Sequence, residues 1–394
     1  MAASSEEPAW ICFSGQDWWY HNRAHSDFQL LRRVAEQRRV LFVNSIGMRM
    51  PMPGRSPQFA RRILRKAKSV ARFVKRPLAE LPNFHVMTPV ILPFYGSRTM
   101  RAVNAGMVRE QVRAVARSIE IAPDEAVIFV TIPTAADVIR NWPRRSLVTN
   151  RSDLHSAFEE TDQALIRALE TELVAASDVA LYSSHSLMRT EGPIAGDRAV
   201  FLDHGVDYDR FAAATGNPHP DLADLPRPIV GFFGGIDDYV VDLELLEKVA
   251  EDLPDCSVVL IGDATCPIDH IVSRSNVHWF GFRPYEEIPS YGAAFDVALM
   301  PWLRNEWIEQ CNPIKMKEYL AIGLSVVSTD FPEVHYYSDT IAIASNHDHF
   351  IELIREALDG KAVSTEQARK ARVEGATWDR QAAKLVSLGE RRVR

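Results

Sequence analysis

No stretch of this 394-residue chain stays apolar for long. Segments such as Val127–Val130 and 296–302 are strand-sized, against the roughly 18 residues a membrane-spanning helix needs. The opening residues 1–9 are polar and acidic, with no basic start leading to an apolar core, so no secretory signal is expected and the protein is read as cytoplasmic. Cysteine is scarce. Cys12, Cys256, Cys266 and Cys311 make no CxxC pair and have no histidine at zinc-finger spacing, which argues against a structural metal and fits free thiols in a reducing compartment. The 19 glycines and 23 prolines are too few and too scattered for a collagen or a low-complexity tail.

What is present suffices for two globular cores: 46% of residues are hydrophobic and 25% charged, in a chain well above the usual size of one domain. The net charge of −7 excludes a general nucleic-acid binder. One segment departs from that balance. Residues 55–76 hold nine cations and no acid, so they carry +9 and the remainder −16. Within it Phe59, Ile63, Ala67, Val70 and Val74 recur at helical spacing, which predicts an amphipathic helix with cations flanking an apolar stripe. Such a helix suits an anionic membrane surface, here the inner face of the plasma membrane, where each nearby Lys or Arg gains about 1 kcal/mol. The same pattern also suits a solvated helix or one bound to an acidic partner. RNA is disfavoured, because no aromatic stacking platform is interleaved with the charges.

Along the first half, strands are expected at 10–14, 40–44, 84–87, 126–130, 147–149, 179–183 and 199–202, alternating with helices at 26–37, 103–118 and 161–175. The second half repeats the rhythm, with strands at 229–233, 258–261, 278–280, 297–300, 326–328 and 341–344. Its helices are expected at 242–252, 285–291, 313–322 and 349–358. Residues 216–228 hold four prolines without periodicity and read as a linker. The expected division is therefore a first domain over 1–215, a second over 229–375, and a terminal helix over 376–394 packing back on the first. Both domains are α/β, doubly wound and Rossmann-like, and ligands in such sheets bind at the carboxyl ends of the strands.

The most informative segment is NPIKMKEYLAIG at 312–323. Asn312 can cap the helix, Pro313 suits its first turn and Gly323 its end. The unpaired N–H groups of that start, with Lys315 on the first turn, form a site for a diphosphate. Glu318 lies one turn deeper on the same face, where a carboxylate can accept hydrogen bonds from two ribose hydroxyls. An i, i+3 surface salt bridge is the plain alternative. Gly234 and Gly235 directly follow a strand and allow close approach of backbone to phosphate, though the spacing is not the dinucleotide GxGxxG pattern. Gly281-Phe282-Arg283-Pro284 follows another strand and is placed to meet a base edge. Asp237 and Asp238 read as loop-turning or sugar-contacting acids, and no metal or resident cofactor is expected.

The run from Gly234 to Glu333, with GGIDD, VHWFGFRPYEEIPSYGAAFDVALMPW, NPIKMKEYLAIG and VVSTDFPEV, resembles the nucleotide-sugar lobe of GT-B-fold glycosyltransferases, in particular the bacterial retaining group 1 (family 4) type. HGVDYDRF at 204–211 resembles that family's Asn-Gly-Val-Asp turn, with His204 replacing the asparagine. The resemblance implies two Rossmann-like domains facing a central cleft. It further implies a metal-independent hexosyltransferase that takes a sugar from a nucleoside diphosphate, with Lys315 on the diphosphate and Glu318 on the ribose. Where the family often has a second glutamate, eight positions before the ribose-binding one, this chain has Gln310, which leaves the anomeric outcome open. The Arg and Lys that many members carry near the glycine loop are also missing.

On the acceptor side, the loop after the first strand holds Trp18, His21, Arg23 and His25, a set suited to sugar or lipid. Asp153 and, second to it, His155 follow another strand and resemble the base-bearing loop of related inverting enzymes; either could take the proton of an acceptor hydroxyl. The expected reaction moves a sugar to a saccharide acceptor, lipid-linked in view of the +9 segment, for a cell-surface or exopolysaccharide glycan. A nucleotide-sugar 2-epimerase and a non-catalytic binding scaffold are the alternatives on the same architecture.

Overall fold

The computed structural model describes residues 7–20, 24–47, 68, 73–92, 97–158 and 162–391. The chain divides into two compact units, one of residues 1–203 with 381–394 and one of residues 204–380.

The first unit is built on an eight-stranded sheet. Its strands are β1 (Trp10–Phe13), β2 (Val40–Val43), β3 (Val74–Lys75), β4 (Phe84–Met87), β5 (Val127–Val130), β6 (Ser146–Arg151), β7 (Val179–Tyr182) and β8 (Ala199–Phe201). Their order is β3-β4-β2-β1-β5-β6-β7-β8, and every pairing is parallel except β3 with β4. Helices cover both faces, which is why WICF, VLFV and VIFV run apolar without alternation. On one face Ile11, Phe13, Leu41, Val43, Ile128 and Val130 pack with Val108, Val112 and Val115 of the helix Arg98–Ser118. Each such side chain, fully buried, contributes about 1.5–3 kcal/mol. The other face carries Trp10, Phe42 and Phe129, and Trp10 Nε1 donates to Glu390 at 3.2 Å.

The second unit has a six-stranded, wholly parallel sheet: β9 (Ile229–Phe233), β10 (Ser257–Ile261), β11 (Val277–Trp279), β12 (Val297–Met300), β13 (Ser325–Thr329) and β14 (Ala342–Ala344), in the order β11-β10-β9-β12-β13-β14. The strand order reverses between β9 and β12, the point at which doubly wound sheets open a crevice. Gly231, in mid-strand, is required by packing: a Cβ there would stand 2.3 Å from the Phe295 ring.

Three expectations are corrected. The division falls at residues 203–204, and the proline-rich 216–228 belongs to the second unit: His219 stacks on Tyr291 at 4.0 Å, and Ser257 Oγ donates to Pro226 O at 2.7 Å. Proline sets an extended path there, but the side chains between still find partners. Val74 and Lys75, expected at the end of the basic helix, form an edge strand; most of residues 55–76 lie outside the described residues. The helix expected at 285–291 is shorter, Ile288–Gly292, because Pro289 suits only a first turn. The terminal helix Trp378–Gly389 ends against β1 and β6, where Ser146 Oγ donates to Gly389 O and Arg38 Nε to Glu390 at 2.8 Å.

Candidate functional site

In the second unit, the helix Ile314–Ile322 begins with Pro313 as its cap and ends at Gly323, whose φ of 95° is the left-handed turn that glycine favours. Asn312, expected to cap it, does not. Its buried side chain accepts from Lys317 Nζ at 3.3 Å. Residues Met316 to Ile322 are all buried, an internal helix with polar groups where an ordinary one would be apolar.

Lys315 sits on its first turn. The ammonium lies 4.5 Å from the centroid of the Phe232 ring, on β9, and 5.2 Å from that of Trp302, just beyond β12. It therefore occupies the point where the strand order reverses. Among the described residues it has neither a hydrogen bond nor an ion pair. Burial pushes its pKa down to about 8, against the opposing charges of Glu318 and Asp237. Glu318, one turn on, is buried with its pKa pushed up to about 7 by desolvation, while the Tyr285 hydroxyl, donating to Oε1 at 3.1 Å, and Lys315 pull it down. An ammonium and a carboxylate thus share one helix face without neutralising each other by contact.

Glycines make the room. Gly234 has a φ of 147°, and Gly262, with a φ of 142°, could carry no Cβ, since it would stand 1.9 Å from Gly234 O. Gly235 is exposed with open space around it. Asp237 turns the loop, its Oδ1 accepting from Tyr239 N at 3.1 Å and Val240 N at 2.9 Å, with a pKa raised by burial. Gln310 closes a short turn, Ile308–Gln310, with its Oε1 buried and unpartnered. Arg283 is engaged elsewhere: Nε donates to the Tyr291 hydroxyl at 2.7 Å and Nη2 lies 3.7 Å from Asp221, and none of these contacts is with Lys315 or Glu318. Sequence reasoning missed Tyr285 and Trp302, since neither carries a local signal; only the fold brings them to the helix.

In the first unit the candidates separate. Trp18 is 4% exposed and packs on Phe28, Phe42 and Phe84 at 4.9–6.0 Å between centroids, so it is core and presents no face to a sugar. His21 and Arg23 lie outside the described residues. His25 and Asp153, from the loops after β1 and β6, are near one another: burial lowers the His25 pKa and the Asp153 charge opposes that drop. His155 has a different setting. It is buried, with Nδ1 3.4 Å from Arg151 Nη1 and 3.6 Å from Glu170 Oε1, inside an ion cluster in which Arg151 also meets Glu191 at 2.7 Å. Among the described residues no group of His, Cys, Asp and Glu could hold a metal ion, and no helix is long and apolar enough to cross a membrane.

Residues 227–360, which contain the Lys315–Glu318 helix, match the family described as Glycosyl transferases group 1. TuaH of Bacillus subtilis, named as a putative teichuronic acid biosynthesis glycosyltransferase, is 27% identical over 193 residues, and that match takes in 47% of this chain and 48% of the relative. The chain thus spans about half the length of the curated relative it matches. Among solved structures, sucrose-phosphate synthase from Thermosynechococcus elongatus superposes with a TM-score of 0.72 at 15% identity, over 97% of this chain and 98% of that one. HepE of Anabaena, in complex with UDP-glucose, gives 0.67 at 13% identity, over 96% and 99%. A UDP-forming α,α-trehalose-phosphate synthase from Burkholderia vietnamiensis gives 0.67 at 12%, over 97% and 98%. At such identities the likeness to the solved structures carries the fold.

Proposed function

We propose, from the premise that this chain has the GT-B fold and that its residues 227–360 form a group 1 glycosyltransferase domain, that it transfers a hexose from a nucleoside-diphosphate sugar to a saccharide acceptor. The observation that carries the reading is the unpaired Lys315 ammonium at the β9–β12 reversal, one helical turn from the buried Glu318. When the bond between the sugar's anomeric carbon and the diphosphate oxygen breaks, both electrons leave with the diphosphate. Lys315 and the N–H groups at the helix start stabilise that charge where water is excluded, so no metal and no resident cofactor is needed. Glu318 as a carboxylate accepts from the ribose hydroxyls. Gly234 and Gly235 let the backbone close on the phosphates.

The first unit takes the acceptor, with Asp153 receiving the proton of its hydroxyl beside His25. A lipid-linked acceptor on an anionic membrane fits the +9 charge of residues 55–76, and the likeness to the teichuronic acid enzyme supports a cell-surface glycan as product. Incubation with radiolabelled nucleotide sugars and bacterial lipid extract tests this. Glu318→Ala should weaken nucleotide binding and abolish transfer to lipid. Undiminished transfer by that variant would remove the assignment, whereas conversion of the nucleotide sugar without any acceptor would favour an epimerase.

A further inference from the structure

Trp302 is 7% exposed, and its indole Nε1, a strong hydrogen-bond donor, is buried and has no hydrogen-bond partner among the described residues. Leaving such a donor unmet costs about 1–3 kcal/mol, so a buried unpaired N–H in a folded protein calls for an explanation. The ring is not loose. Its backbone N–H donates to Thr329 Oγ1 at 3.1 Å, its carbonyl accepts from the same hydroxyl at 2.7 Å, and it stacks on Phe331 at 5.4 Å between centroids. Phenylalanine would also stack on Phe331, and it carries no donor to leave unsatisfied. The same ring borders the Lys315 ammonium at 5.2 Å.

The electrostatics of the site give the N–H a task. The loop from Gly234 to Asp238 supplies two carboxylates and no cation, so between that loop and the first turn of the helix the positive charge offered to a diphosphate is that of Lys315. The remaining oxygens need neutral donors. Building on the nucleotide-sugar reading above, we propose that the Trp302 indole N–H is a second side-chain donor, alongside Lys315, to the phosphate oxygens of the bound nucleoside diphosphate. The aromatic ring thereby has two functions: its face borders the ammonium and its edge binds the anion. A hydrogen bond from a neutral donor to a charged oxygen is stronger than one between neutral groups, which makes its loss measurable.

Trp302→Phe keeps an aromatic ring but removes the N–H together with part of the indole, so the nucleoside titration serves as the control for the lost ring atoms. Calorimetric titration of the full chain with uridine and guanosine diphosphates should show about tenfold weaker binding for the variant, while the affinity for the corresponding nucleosides, which lack phosphate, stays within about twofold. A second arm needs only the native sequence. Of the eight tryptophan indole signals in nitrogen-15-labelled protein, the one missing from Trp302→Phe should move downfield on adding the diphosphate and not on adding the nucleoside. Equal diphosphate affinity in the two proteins, or an indole signal that does not move, overturns the assignment to Trp302 and leaves the Lys315–Glu318 reading standing. Absence of diphosphate binding by the native chain overturns both.

Discussion

The Lys315 ammonium fills the space that a β-carbon on Gly234 would need: a Cβ built there stands 2.2 Å from Nζ. Gly234→Ala should therefore act in two ways. Its φ of 147° disfavours any L side chain, costing about 1–3 kcal/mol of stability. The methyl also displaces the ammonium, which should weaken nucleoside-diphosphate binding at least about tenfold. Lys315→Ala should match or exceed that loss of affinity without lowering the melting temperature, because it removes a desolvated charge that makes no ion pair among the described residues. In the double variant the clash is gone, so its destabilisation should fall short of the sum of the single changes. Strict additivity in melting experiments would mean that the two side chains do not compete for this space.

Burial brings Glu318 up to about 7 and Lys315 down to about 8. Glu318 ionises in the unfolded chain near 4.5 but in the fold only near 7, so between these values the folded state holds the extra proton and stability falls as pH rises through the window. Lys315 works in reverse: the unfolded chain binds the extra proton between about 8 and 10.5, and stability rises with pH there. Nucleotide binding needs the carboxylate and the ammonium together. Affinity should peak between the two values, falling on the acid side as Glu318 protonates and on the alkaline side as Lys315 loses its charge. Glu318→Gln should flatten the acid limb and remove the stability slope between pH 4.5 and 7. A variant that keeps both features would show that another group titrates there.

The strands were the most legible part of the fold. Ile229–Phe233, Val297–Met300 and Phe84–Met87 are runs of β-branched, aromatic and aliphatic residues bounded by turn residues, and they form where that pattern predicts. The helix carrying Lys315 and Glu318 was readable because Pro313 and Gly323 mark its ends. Glu366–Glu374 was not, since it buries only Arg369 and Val373 and has no apolar stripe to betray it. Burial of single residues was harder still. A loop rich in aromatics reads the same whether its tryptophan meets solvent or, like Trp18, is enclosed by Phe28 and Phe84 from distant elements. Tyr285 and Trp302 reach the site through parallel pairing of strands far apart in sequence, which local pattern does not encode.

Asp153 and His155 are two residues apart, yet substitution should separate chemistry from folding. Asp153→Asn should leave the melting temperature and nucleotide affinity near native while cutting transfer about a hundredfold or more. His155→Ala should do the opposite, because its ring borders the Arg151–Glu170 pair, 2.8 Å apart with both side chains 3% exposed. Burial would push Glu170 up, but His155 and Arg151 outweigh it and hold the pKa down at about 2. The stability this confers is present above about 4.5 and is lost as pH falls toward 2. His155→Ala should therefore begin acid unfolding at a higher pH than the native chain. Comparable loss of transfer in both variants, with both folded, would return His155 to the chemistry.

The +9 charge of residues 55–76 can be tested apart from catalysis. If the segment rests on an anionic surface, each cation contributes about 1 kcal/mol, so changing Arg61, Arg62, Arg65 and Lys66 to glutamine should weaken partition to vesicles rich in anionic lipid by about a thousandfold. Co-sedimentation at low salt should be lost in that variant, and lost by the native chain at about 1 M salt, where screening acts within about 3 Å. Transfer to a water-soluble acceptor should persist in both cases, because Lys315 and Glu318 lie in the other unit. Two results would show that these cations do not hold the chain to an anionic membrane surface: equal sedimentation with neutral and anionic vesicles, or sedimentation indifferent to the four substitutions. A bilayer without anionic headgroups offers these cations no Coulombic attraction, and an anionic one offers none to the glutamines that replace them.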